Sequence, residues 1–94
     1  MQIQINAILI DDEPGNNENL TNLLKKHCPQ VFVLATATQV PQAIRLVEDL
    51  KPDLLFLDIQ MGKENGFDLL KSLKRRDFEV IFITAYDQYG ILAV

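Results

Sequence analysis

The sequence predicts a doubly wound α/β domain, a parallel sheet with helices on both faces, from three observations. Near-continuous apolar runs, typical of strands that are covered on both faces, recur along the chain. Longer segments with apolar residues at helical spacing separate these runs. The length of 94 residues allows one small domain and not two. We therefore expect a single domain over residues 1–94, in which strands and helices alternate.

Four strands are predicted from the apolar runs, and they cover residues 6–11, 31–36, 53–58 and 79–84. Strict alternation of polar and apolar residues would indicate a sheet with one face in water, and these runs lack it. Each strand is therefore expected to lie between two layers of helices.

The segments between the strands predict three helices. The first covers about residues 17–27, and the third covers residues 66–76. The second has Thr38 as a candidate N-cap and Pro41 in its first turn, where the missing N–H of proline costs little. This second helix is expected to end before Lys51, which precedes a proline.

Composition and charge exclude several classes of protein. Nine Lys and Arg against thirteen Asp and Glu give a net charge of −4, so we expect no direct contact with nucleic acid. The apolar runs are far shorter than the roughly 20 residues of a membrane-spanning helix. The first residues lack a secretory signal, and the single cysteine, Cys28, permits no intramolecular disulfide. We expect a cytoplasmic protein without membrane contact.

Acidic residues follow two of the predicted strands at the point where each strand ends. Asp11 and Asp12 close the first strand, and Asp58 closes the third. Ligands of open parallel sheets bind outside the carboxyl ends of the strands, so these acids are expected to face one crevice. Their mutual repulsion favours a bound cation, and oxygen ligands prefer Mg²⁺ or Mn²⁺. Asp11 and Asp12 can share a site only if the chain turns there, and Pro14-Gly15 favours that turn.

Each of these residues also has a purely structural interpretation. Asp11, Asp12 and Asp58 could be solvated turn or capping residues. Thr84, after the fourth strand, could be an ordinary β-branched strand residue. Glycine is expected at position 66 because the backbone at the start of the third helix needs either a positive φ or close packing.

Four segments, in this order and spacing, resemble the receiver domain of bacterial two-component response regulators. They are Ile8-Leu-Ile-Asp-Asp-Glu13, Lys51-Pro-Asp-Leu-Leu-Phe-Leu-Asp-Ile-Gln-Met61, Asn65-Gly66 and Ile83-Thr-Ala85. The resemblance covers essentially the whole chain and implies the flavodoxin-like receiver fold, with strands in the order two, one, three, four, five. The residues of these segments also resemble the branch of the family whose full-length proteins carry a LytTR-type DNA-binding output domain.

The resemblance implies a role for each candidate site residue. Asp58 would be the phosphoacceptor, and Thr84 the switch hydroxyl. Asp11, Asp12, Asp58 and the backbone carbonyl of Gln60 would hold Mg²⁺, with Mn²⁺ as a substitute. The implied partners are a sensor histidine kinase, which supplies the phosphoryl group, and an output domain in the full-length protein. Such a domain is a signalling module and not an enzyme, with at most slow self-dephosphorylation.

The sequence departs from the family pattern in two places. The family's lysine at the end of a fifth strand has no position in 94 residues, and the last helix is missing too. We therefore expect an incomplete receiver whose fourth strand is an uncovered edge, through which the chain dimerises or exchanges segments. Gly62 stands where the family commonly has proline, so the loop beside Asp58 is expected to be freer.

Two other functions fit parts of the sequence. A receiver-like interaction fragment without phosphotransfer is favoured by the missing lysine and opposed by the intact acidic site. A Mg²⁺-dependent phosphohydrolase with an aspartyl-phosphate intermediate would also need an Asp at a strand end. Such enzymes usually place a second Asp two residues later as acid and base, and Gln60 occupies that position.

Overall fold

The computed structural model describes residues 3–61, 64–74 and 77–83. Strands and helices follow each other as the apolar pattern predicts, with one additional pair of short strands. In chain order they are β1 (Ile5–Ile10), α1 (Pro14–His27), β2 (Val31–Ala37), α2 (Val40–Leu50), β3 (Leu54–Asp58), β4 (Gln60–Met61), β5 (Glu64–Asn65), α3 (Gly66–Ser72) and β6 (Glu79–Ile83).

The main sheet has the strand order β2-β1-β3-β6, and every neighbouring pair is parallel. This order confirms the doubly wound α/β fold and the arrangement of the four predicted strands. β4 and β5 form a separate antiparallel pair, which was not predicted. A strand of two residues is too short to show any periodicity, so the sequence carries no signal for it.

Helices cover both faces of this sheet, and two apolar clusters form the core. On one face α1 packs against β1 and β3 through Leu24, Leu9 and Phe56. On the other face α2 and α3 pack against the same strands through residues that include Val47 and Leu69. Burial on both faces explains why the strand sequences are almost uninterrupted in their apolar character.

The first helix begins three residues earlier than predicted. α1 starts at Pro14, so Pro14-Gly15 lies in its first turn and does not form a separate turn after the strand. A proline suits this position because its fixed φ is helical and its missing N–H would have no partner there. The chain instead leaves β1 through residues 11–13, which precede the helix.

The start of the second helix also differs from the prediction. The N-cap of α2 is Gln39, and its side chain makes no capping hydrogen bond, so the assignment of this role to Thr38 is wrong. Instead, the backbone N–H of Thr38 donates to Oε1 of Gln42 at 3.1 Å. A side chain from inside the first turn therefore satisfies this free N–H, as the second half of a capping box does. The end at Leu50, before Lys51, is as predicted.

The third helix is shorter than the predicted 66–76, because α3 ends at Ser72. Leu73 adopts an extended conformation and is buried in the core cluster. The N–H of Lys74 donates to Oε1 of Glu48 on α2 at 3.0 Å, which holds the chain away from the helical path. No helix within the described ranges is long and apolar enough to span a membrane.

Candidate metal centre

The structure brings three of the predicted acids together at one edge of the sheet. β1 and β3 are parallel neighbours, with Ile10 paired to Leu57, so Asp11, directly after β1, lies level with Asp58, the last residue of β3. Asp11, Asp12 and Asp58 each contribute a carboxylate oxygen, and these oxygens all lie within 4.8 Å of one another. Asp11 and Asp58 are half-buried, whereas Asp12 is exposed. Negative charge is therefore concentrated at the carboxyl ends of the two central strands.

Backbone hydrogen bonds show how neighbouring residues come to share this site. The N–H of Asp11 still donates to the carbonyl of Ala37 in β2, at 3.0 Å. The N–H of Glu13 then donates to Oδ1 of Asp11 at 2.9 Å, which closes a turn of the Asx type. The chain thus leaves the strand immediately after Asp11, and this turn lets consecutive residues face one crevice.

Two asparagines of α1 support this turn, and neither was predicted from the sequence. Nδ2 of Asn16 lies 3.3 Å from each carboxylate oxygen of Asp11. Nδ2 of Asn17 donates to the backbone carbonyls of Asp11 at 3.3 Å and of Ala37 at 3.1 Å. One signal was available for Asn17, because the apolar stripe of the helix, extended back one turn from Leu20, reaches it.

Asp58 is a carboxylate whose environment favours the neutral form. Partial burial and then the negative charge of Asp11 raise its pKa from 3.8 to about 6, and Asp12 adds to this effect. The backbone N–H groups of Gln60 and Ile59 act in the opposite direction. The N–H of Gln60 donates to Oδ1 of Asp58 at 3.3 Å. A cation at this edge would relieve the repulsion that raises the pKa.

Gly66 touches the same strand end from the other side. A Cβ atom at this position would lie 2.7 Å from the carbonyl oxygen of Asp58 and 3.0 Å from Cγ of Leu57. Close packing, and not a positive φ, is therefore the backbone requirement that selects glycine here. The N–H of Gly66 donates to the carbonyl of Ile59 at 2.7 Å, which ties the start of α3 to the residue after Asp58.

The donor atoms fit a hard divalent cation. Carboxylate oxygens are the only ligand atoms that this cluster offers, and Mg²⁺ and Mn²⁺ prefer oxygen to nitrogen or sulfur. Gln60 lines the same cavity, of about 570 Å³, as the three acids. Apolar residues, which include Leu20, Leu23, Phe56 and Ile83, also line this cavity.

Other residues singled out in the sequence lie outside the described ranges. Thr84 comes directly after Ile83, the last described residue of β6, and Gly62 comes directly after Met61 in the sequence. Their predicted roles therefore remain predictions.

Comparison with known proteins identifies the family. Residues 7–93 match the response regulator receiver domain family, which is almost the entire chain. The chain belongs to this family.

Relatives of this receiver include signalling and regulatory proteins. It is 45% identical over 92 residues to the sensory transduction protein LytT of Enterococcus faecalis. It is 36% identical over 91 residues to the transcriptional regulatory protein BtsR of Salmonella typhi. Each alignment covers 95% of this chain and 37% of the relative, so the chain spans little more than a third of either protein. The likeness to LytT agrees with the branch expected from the sequence.

Solved structures give the same fold. The receiver domain of the response regulator PhyR from Erythrobacter litoralis superposes with a TM-score of 0.77 at 32% identity. The match covers 93% of this chain and 67% of that one. The flavodoxin-like receiver fold is therefore confirmed for the chain described here.

Proposed function

We propose that this chain is the phosphoacceptor part of a two-component response regulator, with Asp58 as the residue that takes the phosphoryl group. The observation that carries the proposal is the meeting of Asp11, Asp12 and Asp58 at the ends of β1 and β3. Three carboxylates this close repel one another, and the hydrogen bonds that Asp58 accepts do not offset this repulsion and its burial, since its pKa stays raised. A site that binds a divalent cation and then a phosphoryl group accounts for the arrangement.

The residues of this chain would do little covalent chemistry beyond the nucleophilic attack. One Oδ atom of Asp58 would form the new bond to phosphorus while the phosphorus–nitrogen bond of a phosphohistidine breaks, its electron pair staying on the imidazole nitrogen. Transfer of this kind depends on positioning and on neutralisation of charge. With a pKa of about 6, Asp58 is mostly ionised at neutral pH and so available as the nucleophile.

Asp11, Asp12, Asp58 and the backbone carbonyl of Gln60 would hold the cation. Bound Mg²⁺ would supply the positive charge that offsets both the carboxylates and the phosphoryl oxygens. Asp11 is already oriented for this role by Asn16 and by the N–H of Glu13.

Thr84 is proposed as the switch hydroxyl that follows the new phosphoryl group by hydrogen bonding. Its predecessor in the chain, Ile83, is the register partner of Asp58, which supports this role. An aspartyl phosphate carries strong acceptor oxygens, and a hydroxyl that bonds them in one conformation only would shift the equilibrium towards that conformation.

A sensor histidine kinase is the proposed phosphoryl donor, and a DNA-binding output domain in the full-length protein the proposed target of control. The names of the relatives, which refer to sensory transduction and to transcriptional regulation, support this assignment. The net charge of −4 supports assigning nucleic-acid contact to the output domain and not to this segment.

Intact-mass spectrometry after incubation with a small phosphodonor tests the proposal. Wild type is expected to gain the mass of one phosphoryl group with Mg²⁺ and to gain nothing when EDTA removes the metal. Asp58→Asn is expected to gain nothing in either case, because its amide is not a nucleophile. Asp49→Asn removes an exposed carboxylate on α2 and serves as the matched control, with wild-type gain. No gain in a wild-type chain that circular dichroism shows to be folded would contradict phosphotransfer and favour the interaction-fragment interpretation.

A further inference from the structure

Asn17 is the buried polar side chain of the described residues, with 4% of its surface exposed. It lies early in α1 and lines the cavity that contains the acidic cluster. Burial of an amide without hydrogen-bond partners is unfavourable, so the partners of Asn17 account for its presence there.

The partners of Asn17 are backbone carbonyls at the ends of two neighbouring strands. Nδ2 lies 3.1 Å from the carbonyl oxygen of Ala37, at the end of β2, and 3.3 Å from that of Asp11, just after β1. Because carbonyls only accept, the NH₂ end of the amide faces them, and its two hydrogens serve both. The carbonyl of Ala37 also accepts from the N–H of Asp11. Asn17 thus joins α1 to both strand ends at the point where the chain turns.

The carbonyl of Asp11 belongs to the peptide unit that connects Asp11 to Asp12. Successive side chains of a strand point to opposite faces, yet the carboxylates of these two residues converge with that of Asp58. This convergence requires the peptide unit to be turned out of the strand direction. The hydrogen bond from Asn17 holds the carbonyl oxygen of Asp11 near the end of β2. Rotation of the Asp11–Asp12 peptide unit would break this hydrogen bond and move the Asp12 carboxylate.

We propose that Asn17 is a positioning residue for the acidic cluster and that it sets the affinity of the cluster for a divalent cation. The inference rests on the proposed function, because it concerns the same site. Asn17 acts through the Asp11–Asp12 peptide unit and is not itself a ligand. Loss of a group that orients metal ligands typically lowers metal affinity by about 10–100-fold.

The test measures Mn²⁺ affinity of the folded chain from the electron paramagnetic resonance signal of the free ion. Asn17→Leu keeps the approximate size of the side chain and removes both donors, so its dissociation constant is expected to rise about tenfold or more. Asn19→Leu makes the same exchange at an exposed position of α1 that lines the same cavity. Val47 lies on α2 and packs on the face of the sheet opposite α1. Val47→Ala therefore weakens the core away from the acids and shows the effect of lost stability alone. Both controls are expected to stay within about twofold of wild type.

The outcomes separate this inference from the proposed function. Binding by Asn17→Leu within about twofold of wild type, in a sample that circular dichroism shows to be folded, overturns the inference and leaves the metal site intact. The variant Asp12→Asn removes one of the three carboxylates. If wild type binds no Mn²⁺, or binds it no more tightly than Asp12→Asn does, the proposed metal site is overturned and the inference with it. Should Asn17→Leu not fold, Asn17→Ser, which offers one donor hydrogen in place of two, is measured by the same criterion.

Discussion

Among single residues, Asp58 is the one at which stability and the proposed function oppose each other. Burial and the neighbouring acids raise its pKa to about 6, although two backbone N–H groups favour the charged form. In the unfolded chain the same carboxyl titrates near 3.8. The folded state therefore holds the proton more tightly, and the stability that depends on this proton is lost as the pH rises from about 4 through about 6. Without a cation, the ionised carboxylate of Asp58 destabilises the fold at neutral pH.

Asp58→Asn is therefore expected to stabilise the metal-free protein at neutral pH. The free energy of unfolding should rise by about 1–2 kcal/mol at pH 7.5, a value that allows for the screening of this half-exposed carboxylate by water. The gain should shrink as the pH falls through 6 towards 4, where wild type is protonated as well. Urea unfolding in EDTA, followed by circular dichroism, measures it, with Asp49→Asn as the control. A gain that does not change with pH would contradict this account of Asp58.

At the scale of elements, the connection from β3 to α3 keeps the site compact. Glycine lets α3 begin in contact with the carbonyl of Asp58, and Asn65 caps the helix by accepting from the N–H of Asp68 at 3.0 Å. The helix therefore starts against Asp58, the proposed phosphoacceptor.

Gly66→Ala is expected to destabilise the chain by about 1–3 kcal/mol, because the added methyl overlaps the backbone oxygen of Asp58, which belongs to a central strand. Gly15→Ala is the matched control. A Cβ at Gly15 meets nothing within 4 Å, so this variant should gain about 0.5 kcal/mol from its better helix propensity. Urea unfolding measures both. Equal stability of the two variants would show that packing against Asp58 does not select the glycine.

The end of α2 carries a strained residue. Lys51, its C-cap, has a φ of 51° in the left-handed region, which glycine adopts without cost. Lys51→Gly is expected to raise the free energy of unfolding by about 1 kcal/mol. Lys51→Ala, which removes the charge and keeps the strain, should gain nothing. A similar gain in both variants would assign the effect to charge and not to backbone conformation.

The elements also show how far sequence alone reaches. Apolar runs identify the strands because burial on both faces leaves a local record in each strand. No comparable local pattern marks the start of α1, because this start depends on where the chain leaves β1. The hydrogen bonds from Asn17 to the carbonyls of Asp11 and Ala37 help to fix that point. Ala37 is twenty residues from Asn17, and no local pattern reports so distant a partner. The acids were predicted because they come at strand ends, where parallel sheets bind ligands. The amides of Asn16 and Asn17, which support them, belong to no characteristic motif.

At the scale of the whole molecule, the strand order places the site. The chain runs from β1 to β2 on one side, and then crosses to β3 on the other side of β1. A crevice opens where the order changes direction, between the carboxyl ends of β1 and β3. Asp11 and Asp58 lie on its two sides, so the topology alone explains why residues so far apart in the chain meet.

The described sheet ends in β2 on one side and β6 on the other. Association through the β6 edge, predicted from the sequence, should appear in light scattering as a mass that rises with concentration. Ile81, 42% exposed on β6, allows a direct test, since Ile81→Lys should keep the chain monomeric. Phe32→Lys, at a 53% exposed position of β2, is the control and should associate as wild type does. A wild type that stays monomeric at high concentration contradicts the prediction.

Locating the phosphoryl group would show whether the acidic edge is a phosphoacceptor site built around Asp58. Wild type is phosphorylated in Mg²⁺, reduced with borohydride so that an acyl phosphate becomes a stable alcohol, digested and sequenced by tandem mass spectrometry. Reduction is expected at Asp58 alone, and none is expected when Mg²⁺ is replaced by EDTA. Reduction at Asp11 or Asp12, or equal labelling without metal, would contradict it.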